Sequence, residues 1–471
     1  MLFAKRTGLL WLFLLTGVLV GNVASARTRA IVYGAEQDTA TVYEIYRADL
    51  KQGTVTRLNT PLPAGRRVQT FDVGPKGKNV AYVADQDTDD VFELYRVEVK
   101  TGDVTKVSGP LVAGGDVDLS DFQIGAKGRS VVYLADQDTD EVVEIYRADF
   151  KTGEVTKLNE PLVAGGNVNR FLIDPKGRYV VYHADQDVDE VFELYRVDLK
   201  TGDVAKLSGP LVAGGWVRFN PKVGPKGRSV IYLASQDTAD VFEVYRADLK
   251  NGDVEKISGP MGVDGDAFDI EIGPKGKVVV YRADADTNGV AELWWVDLKS
   301  GDVTKVNPPL IPGGYCYSGF QIDPKGKSVV YYAEQDADTV YELYQVELKT
   351  GDVTKLNDSL VADGDVTRVR IGPKGKTVVY HADQDTDMVR EIYRVDLKTG
   401  DVTKLNDALV SGGEVTAFKY GSKGKTVFYS ADQDTDGVRE LYMVDLKSGD
   451  VTKINDTLVS GGQVGDFELS R

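Results

Sequence analysis

From Ala30 onward, short apolar runs alternate with polar turns on a period of about 49 residues. The unit from Ala135 to Tyr182, extended into the next, shows the pattern. Strands are predicted over Phe171–Ile173, Tyr179–His183, Glu193–Asp198 and Val204–Leu207, where Tyr, Val, Ile and Phe favour a pleated, half-buried surface. Pro175-Lys176-Gly177 and Thr201-Gly202-Asp203 read as tight turns, because proline presets φ and glycine accepts positive φ. No window carries a helical period. Four antiparallel strands in a unit of this length predict one blade of a β-propeller.

The unit recurs nine times. Its landmark, Glu followed by Leu, Ile or Val and then Tyr or Trp, begins at Glu44, Glu93, Glu144, Glu193, Glu243, Glu292, Glu342, Glu391 and Glu440. Successive landmarks are 49, 51, 49, 50, 49, 50, 49 and 49 residues apart. No linker or shift in composition interrupts them, so residues 27–471 are expected to form a single all-β domain. Ala30-Ile31-Val32-Tyr33 matches the second strand of a blade whose first strand is missing. Val464-Gly465-Asp466-Phe467-Glu468-Leu469 matches that first strand. The C-terminal strand is therefore expected to complete the N-terminal blade and close a nine-bladed ring, pairing edges that otherwise invite aggregation.

The run Phe-x-Ile-x-Pro-Lys-Gly-Lys-x-Val-Val-Tyr, followed by Glu-Leu-Tyr-x-Val-Asp-x-Lys-x-Gly, resembles the TolB-like, WD-type propeller repeats of bacteria. The resemblance spans nearly all of residues 30–471 and implies the fold. Two departures stand out: Pro-Lys-Gly, as at Pro75-Lys76-Gly77, replaces the family's Pro-Asp-Gly, and the loop between strands two and three is longer. The extra N-terminal domain of TolB itself has no counterpart here, so its envelope partners do not carry over. Nor is there a counterpart of the hydrolase domain attached to some related propellers.

Composition narrows the function. The 471 residues carry a formal net charge of −17, with 1 Cys and 2 His. Such acidity repels phosphate backbones and argues against nucleic-acid binding. A single Cys excludes an intrachain disulfide and a multi-thiolate zinc site. Residues 1–26 read as a signal peptide: Lys5 and Arg6, an apolar run from Leu9 to Val20, then Ala24-Ser25-Ala26. The run is too short to span a bilayer, so no membrane span is expected. The expected product is exported, to the periplasm or the medium, and monomeric.

The loop between strands two and three carries the sharpest chemistry. In the last repeat it reads Asp432-Gln433-Asp434-Thr435-Asp436-Gly437-Val438-Arg439-Glu440, with carboxylates at positions 1, 3, 5 and 9. Calcium takes six to eight oxygens, and closely spaced carboxylates on a turn supply them. The loop resembles the calcium loops of integrin α-chain propellers, which implies the same ion here. The pattern recurs at Asp85, Asp87, Asp89 and Glu93; at Asp136, Asp138, Asp140 and Glu144; and at Asp185, Asp187, Asp189 and Glu193. It returns at Asp383, Asp385, Asp387 and Glu391, and as Asp284, Asp286, Asn288 and Glu292. Glu334, Asp336, Asp338 and Glu342 vary it, whereas Glu36/Ala40 and Ser235/Ala239 degrade it. Several Ca2+ ions are expected. The alternative is a solvated turn whose side chains cap backbone groups. Position 9 keeps Glu44 and Glu243 even in the degraded loops, which points to a structural role for that residue.

Chain order sends the acidic loops and segments such as Gly114-Gly115-Asp116-Val117 to one face, and the Pro-Lys-Gly and Leu-Lys-Thr-Gly-Asp turns to the other. His183, His381, Trp216, Tyr315, Cys316, Tyr317 and Trp294-Trp295 break the repeat and read first as packing residues. No Gly-x-Ser-x-Gly or His-Glu-x-x-His occurs. Near-equal blades argue against an enzyme, which needs an asymmetric group of acid, base and nucleophile. The expected function is a calcium-binding scaffold for a protein or glycan partner on the acidic face. The alternatives are a polysaccharide lyase or hydrolase with its site at the propeller mouth, and a structural envelope component.

Overall fold

The computed structural model describes residues 28–470; the expected leader at 1–26 lies outside them. Nine four-stranded antiparallel sheets form the blades of a β-propeller. Blade 4 contains Val168–Ile173, Tyr179–Ala184, Glu193–Asp198 and Val204–Lys206, each within a few residues of its predicted bounds. The inner strand starts three residues earlier than expected, because a bulge between Val168 and Arg170 lets polar residues join the pairing. Blade 1 pairs Ala30–Ala35 with Val464–Ser470, so the two ends of the chain share one sheet.

A blade has no core of its own. The apolar residues instead form nine clusters, each built from two adjacent blades. Val132, Leu134 and Ile145 of blade 3 pack with Val168, Phe171 and Tyr182 of blade 4. The ninth cluster joins Phe428 and Leu441 of blade 9 to Ile31, Tyr33, Val464 and Phe467 of blade 1, closing the ring. Within eight blades, tyrosines of strands two and three stack with centroids 5.3–5.8 Å apart, as in Tyr182–Tyr195. Blade 6 pairs Tyr281 with Trp294 instead, and Trp294 and Trp295 pack toward opposite neighbouring blades. Cys316 is fully buried where the other inner strands begin with Val, or with Ala267 in blade 6, and burial pushes its thiol upward.

The unequal spacings have a structural cause. Blades 3, 5 and 7 are those reached by the steps of 51, 50 and 50 residues. Their extra residues sit in the innermost strand. In blade 3 the register jumps from Val117 to Phe122. In blades 5 and 7 the strand shrinks to Lys222–Val223 and Gln321–Ile322, preceded by single bridges at Val217 and Cys316. The additions therefore irregularise the channel wall and leave the outer strands unchanged.

On the opposite face the Pro-Lys-Gly turns touch one another around the channel. A Cβ on Gly128 would lie 3.7 Å from Pro75, one on Gly276 3.4 Å from Pro225, and one on Gly424 3.0 Å from Pro373. Gly177 has φ 61° and its N–H bonds to the Asp174 carbonyl at 2.8 Å, a turn that any Cβ would strain.

Removing Val464–Ser470 exposes the blade 1 edge and half of its last cluster. The truncated chain is expected to melt earlier and to aggregate on heating, read by thermal unfolding with light scattering.

Candidate functional site

The acidic loops are held by the sheet in the same way in almost every blade. Position 1 points back to the inner strand. Its Oδ1 accepts a backbone N–H from Arg67, Asp116, Asn167, Asp266, Asp365 or Glu414 at 2.5–2.8 Å, for Asp85, Asp136, Asp185, Asp284, Asp383 and Asp432 respectively. In all but the first of these, Oδ2 also accepts an N–H from position 6. Ser235 does the first task in its degraded loop, accepting from Trp216 N–H at 3.0 Å. The second glycine of each Gly-Gly segment permits this approach: a Cβ on Gly115 would stand 2.6 Å from the Asp136 carbonyl oxygen. Position 2 is a glutamine in every blade but the sixth, which has Ala285, and it accepts the strand-two tyrosine hydroxyl, as in Tyr133 to Gln137 at 2.8 Å.

Positions 3 and 9 meet at one lysine. Lys157, at the end of strand four, lies 2.8 Å from Asp138 and 2.5 Å from Glu144. Tyr146 Oη and Asn159 Nδ2 also donate to Glu144. The same clasp joins Lys106 to Asp87 and Glu93, Lys206 to Asp187 and Glu193, and Lys305 to Asp286 and Glu292. It joins Lys404 to Asp385 and Glu391, and Lys453 to Asp434 and Glu440. The degraded blades keep it through Arg57 with Asp38 and Glu44, and Lys256 with Asp237 and Glu243. Blade 7 keeps the Lys355–Glu342 half. Hydrogen bonds from the lysines hold Asp138, Asp187 and Asp434 below the usual carboxylate range. Position 5 stays outside the clasp: Asp89, Asp140, Asp189, Asn288, Asp387 and Asp436 are exposed, as are the lysine-bound carboxylates of position 3.

The four acidic positions thus do not converge on one point. Among the described residues, one group brings three carboxylate oxygens within 4.8 Å of one another: Asp85, Asp89 and Asp90. Asp90 lies outside the expected spacing.

The channel wall is where the blades differ. The inner-strand residue paired with the third residue of strand two runs Asp72, Gln123, Leu172, Lys222, Glu271, Gln321, Arg370, Lys419 and Glu468 around the ring. Three of these side chains satisfy the free inner edge of the next sheet. Asp72 accepts Ile124 N–H at 2.7 Å, Gln321 accepts Ile371 N–H at 2.9 Å, and Lys419 donates to the Phe467 carbonyl at 2.8 Å. Asp121, from the blade 3 insertion, accepts Phe171 N–H at 2.9 Å. Burial raises the Asp72 carboxyl to about 6 and the Asp121 carboxyl to about 7. Arginines alternate with rings along the mouth: Arg170 lies 4.0 Å from the Phe219 centroid, Arg218 3.9 Å from Phe242, and Arg282 5.0 Å from Phe268. His183 and His381 bond through Nε2 to the Val217 and Val415 carbonyls of the next blades, at 2.8 and 2.6 Å. Burial lowers them to about 4 and about 3, so both are neutral fasteners between blades near pH 7. The landmark repeat conceals this wall; the changing residues of strand one were the sequence signal for it.

No protein-family model and no curated protein sequence matches this chain. Among solved structures it is similar to dipeptidyl peptidase 4 of Porphyromonas gingivalis, at TM-score 0.59 and 13% identity over 83% of this chain. The match covers 60% of that peptidase. An oligogalacturonate lyase in complex with manganese matches at TM-score 0.44 and 14% identity, over 82% of this chain and 99% of that one. TolB from Acinetobacter baumannii matches at TM-score 0.33 and 15% identity, over 75% and 82%. The class defined is a nine-bladed β-propeller with TolB and propeller-containing enzymes among its structural neighbours. At these identities the likeness is one of fold.

Glu144→Ala removes the centre of a clasp and leaves Lys157 without its buried partner. A loss of about 1–3 kcal/mol is expected in urea unfolding, while Asp140→Asn at the exposed position changes stability by less than about 0.5 kcal/mol. Asp121 supplies a pH test. Its folded pKa lies above the unfolded 3.8, so its contribution is full below pH 3.8 and is lost as pH rises through about 7. Asp121→Asn keeps an acceptor for Phe171 N–H. Its stability gain over the parent should therefore be larger at pH 8 than at pH 4, measured by urea midpoints.

Proposed function

We propose that this chain is an exported binding module that docks a protein or glycan partner on its acidic-loop face. The observation that carries this is the placement of exposed apolar side chains. Among the described residues, the large exposed hydrophobics are Leu119, Val188, Trp216, Val263, Tyr317 and Met388. Chain order puts all six on or beside the acidic-loop face, in the loops or at the starts of inner strands. Apolar side chains rimmed by carboxylates mark an interaction surface. The clasp supports the same division, since it buries position 9 in the sheet, ties position 3 to the lysine while leaving it exposed, and leaves positions 3 and 5 to meet a partner.

Calcium enters this proposal at the loop holding Asp85, Asp89 and Asp90, where three carboxylates approach closely enough to share a cation. A second reading, an enzyme with its site at the mouth, draws on the non-repeating wall around Asp121, Arg170 and Arg218. There an asymmetric set of groups lies beside aromatic rings.

The mature chain should capture a partner from the envelope fraction, and Trp216→Ser/Val263→Ser/Met388→Ser should lose it while melting like the parent. Equal capture by the triple variant would defeat the docking face. Equilibrium titration should find one Ca2+, abolished by Asp89→Asn and accompanied by a higher melting temperature. No binding at millimolar calcium removes the ion from the proposal. Chelator in the capture experiment reads whether the ion matters to the partner.

A further inference from the structure

The face opposite the acidic loops has its own chemistry. Two basic side chains stand in each of eight strand-one-to-two turns, such as Lys374 and Lys376 in blade 8. These turns pack against one another around the channel, forming a continuous basic rim on a chain of net charge −17. Among the described residues, Arg178 is the one rim cation within ion-pair distance of a carboxylate, at 2.9 Å from Asp198.

Inside this rim lies an under-compensated pair of guanidiniums. Arg368 and Arg370 sit two residues apart on the inner strand Val366–Ile371 of blade 8, both half-buried. Neither has an ion-pair partner within 4.0 Å among the described residues. Arg368 donates to the Thr416 carbonyl at 3.4 Å, and Arg370 to its own strand's Val369 carbonyl at 3.0 Å. The nearest compensating charge is Glu271 of blade 6, already 3.6 Å from Lys222. One carboxylate therefore serves Lys222 and Arg370, and Arg368 has none. Burial lowers both guanidiniums, and Arg368 lowers Arg370 further by repulsion.

The fold does not require a cation at this place. Blades 3, 4 and 7 put Gln123, Leu172 and Gln321 at the position of Arg370 and close equally well. Two like charges held near each other, partly out of bulk water and with only one carboxylate shared with a third cation, are costly unless something anionic joins them. Guanidinium forks match the planar oxygens of carboxylates and phosphates. Tyr332 of blade 7, within electrostatic reach of both arginines, adds a hydroxyl donor.

We propose that Arg368 and Arg370 form an oxyanion-binding site in the channel, with the basic rim as its entrance and a carboxylate- or phosphate-bearing molecule as its ligand. The site lies in the channel between the two faces and rests on observations other than those that carry the docking surface. The rim steers the anion inward against the net negative charge of the chain, so binding weakens with salt.

The test is calorimetric titration of the intact chain with inorganic phosphate and, separately, with citrate, at low and physiological ionic strength. One saturable site is expected, weaker at the higher salt. Saturation by citrate alone assigns a carboxylate ligand, and by phosphate alone a phosphate ligand. Arg368→Gln/Arg370→Gln should weaken binding at least about tenfold, while Lys374→Gln/Lys376→Gln should weaken it less and flatten its salt dependence. Without anion, the arginine double variant should melt no earlier than the parent, because it relieves repulsion. Absence of saturation by both probes overturns the site, as does equal binding by the arginine variant. An earlier melt of that variant without anion overturns the claim that the pair is under-compensated.

Discussion

Everything in this molecule depends on the inability of a blade to bury its own faces. A four-stranded sheet of this size has two apolar surfaces and no helix to cover either. Each surface finds its cover on the neighbouring blade, so the nine apolar clusters belong to pairs of blades. Stability is then a property of the closed ring, and the ring closes because Val464–Ser470 supplies the strand that the N-terminal blade lacks. Closure also leaves nine inner sheet edges facing the channel, and their backbone groups need partners. Side chains such as Asp72, Asp121 and Gln321 provide them from the preceding blade.

The outer part of each blade answers a different demand. A glutamate at the start of strand three is buried, and a buried carboxylate needs both charge and hydrogen-bond compensation. The lysine thirteen residues later in the same hairpin supplies the charge, and the tyrosine two residues on supplies a phenol. Arg57 replaces lysine in blade 1 and the clasp persists. In blade 6, Trp294 replaces the tyrosine and its Nε1 is left without a partner. The acidic loop is thereby divided: its ends are fixed to the sheet, and its fifth residue faces outward.

Much of the architecture was legible. Strand number, blade number, the composite first blade and the sorting of loops by face all follow from a repeat with alternating apolar residues and glycine turns. The persistence of Glu44 and Glu243 in degraded loops correctly pointed to a structural role for position 9. The partner of that glutamate was less visible, because the lysine lies on another strand and reads in sequence as an ordinary surface charge. The channel was missed for the opposite reason. Only the apolar residues of strand one recur; its channel-facing residues change from blade to blade, and the spacings of 51, 50 and 50 residues place their insertions there.

By itself the sequence determined the local and the periodic: where strands run, where glycine must turn, and how many blades there are. These depend on residues near one another in the chain or one repeat apart. Tertiary structure alone decided how charge is arranged. Arg368, Glu271 and Lys222 come from three different blades, and Arg282, Tyr317 and Tyr332 are drawn from three more segments beside them. Whether a charge is compensated depends on distances set by ring closure, and no interval along the chain encodes those distances.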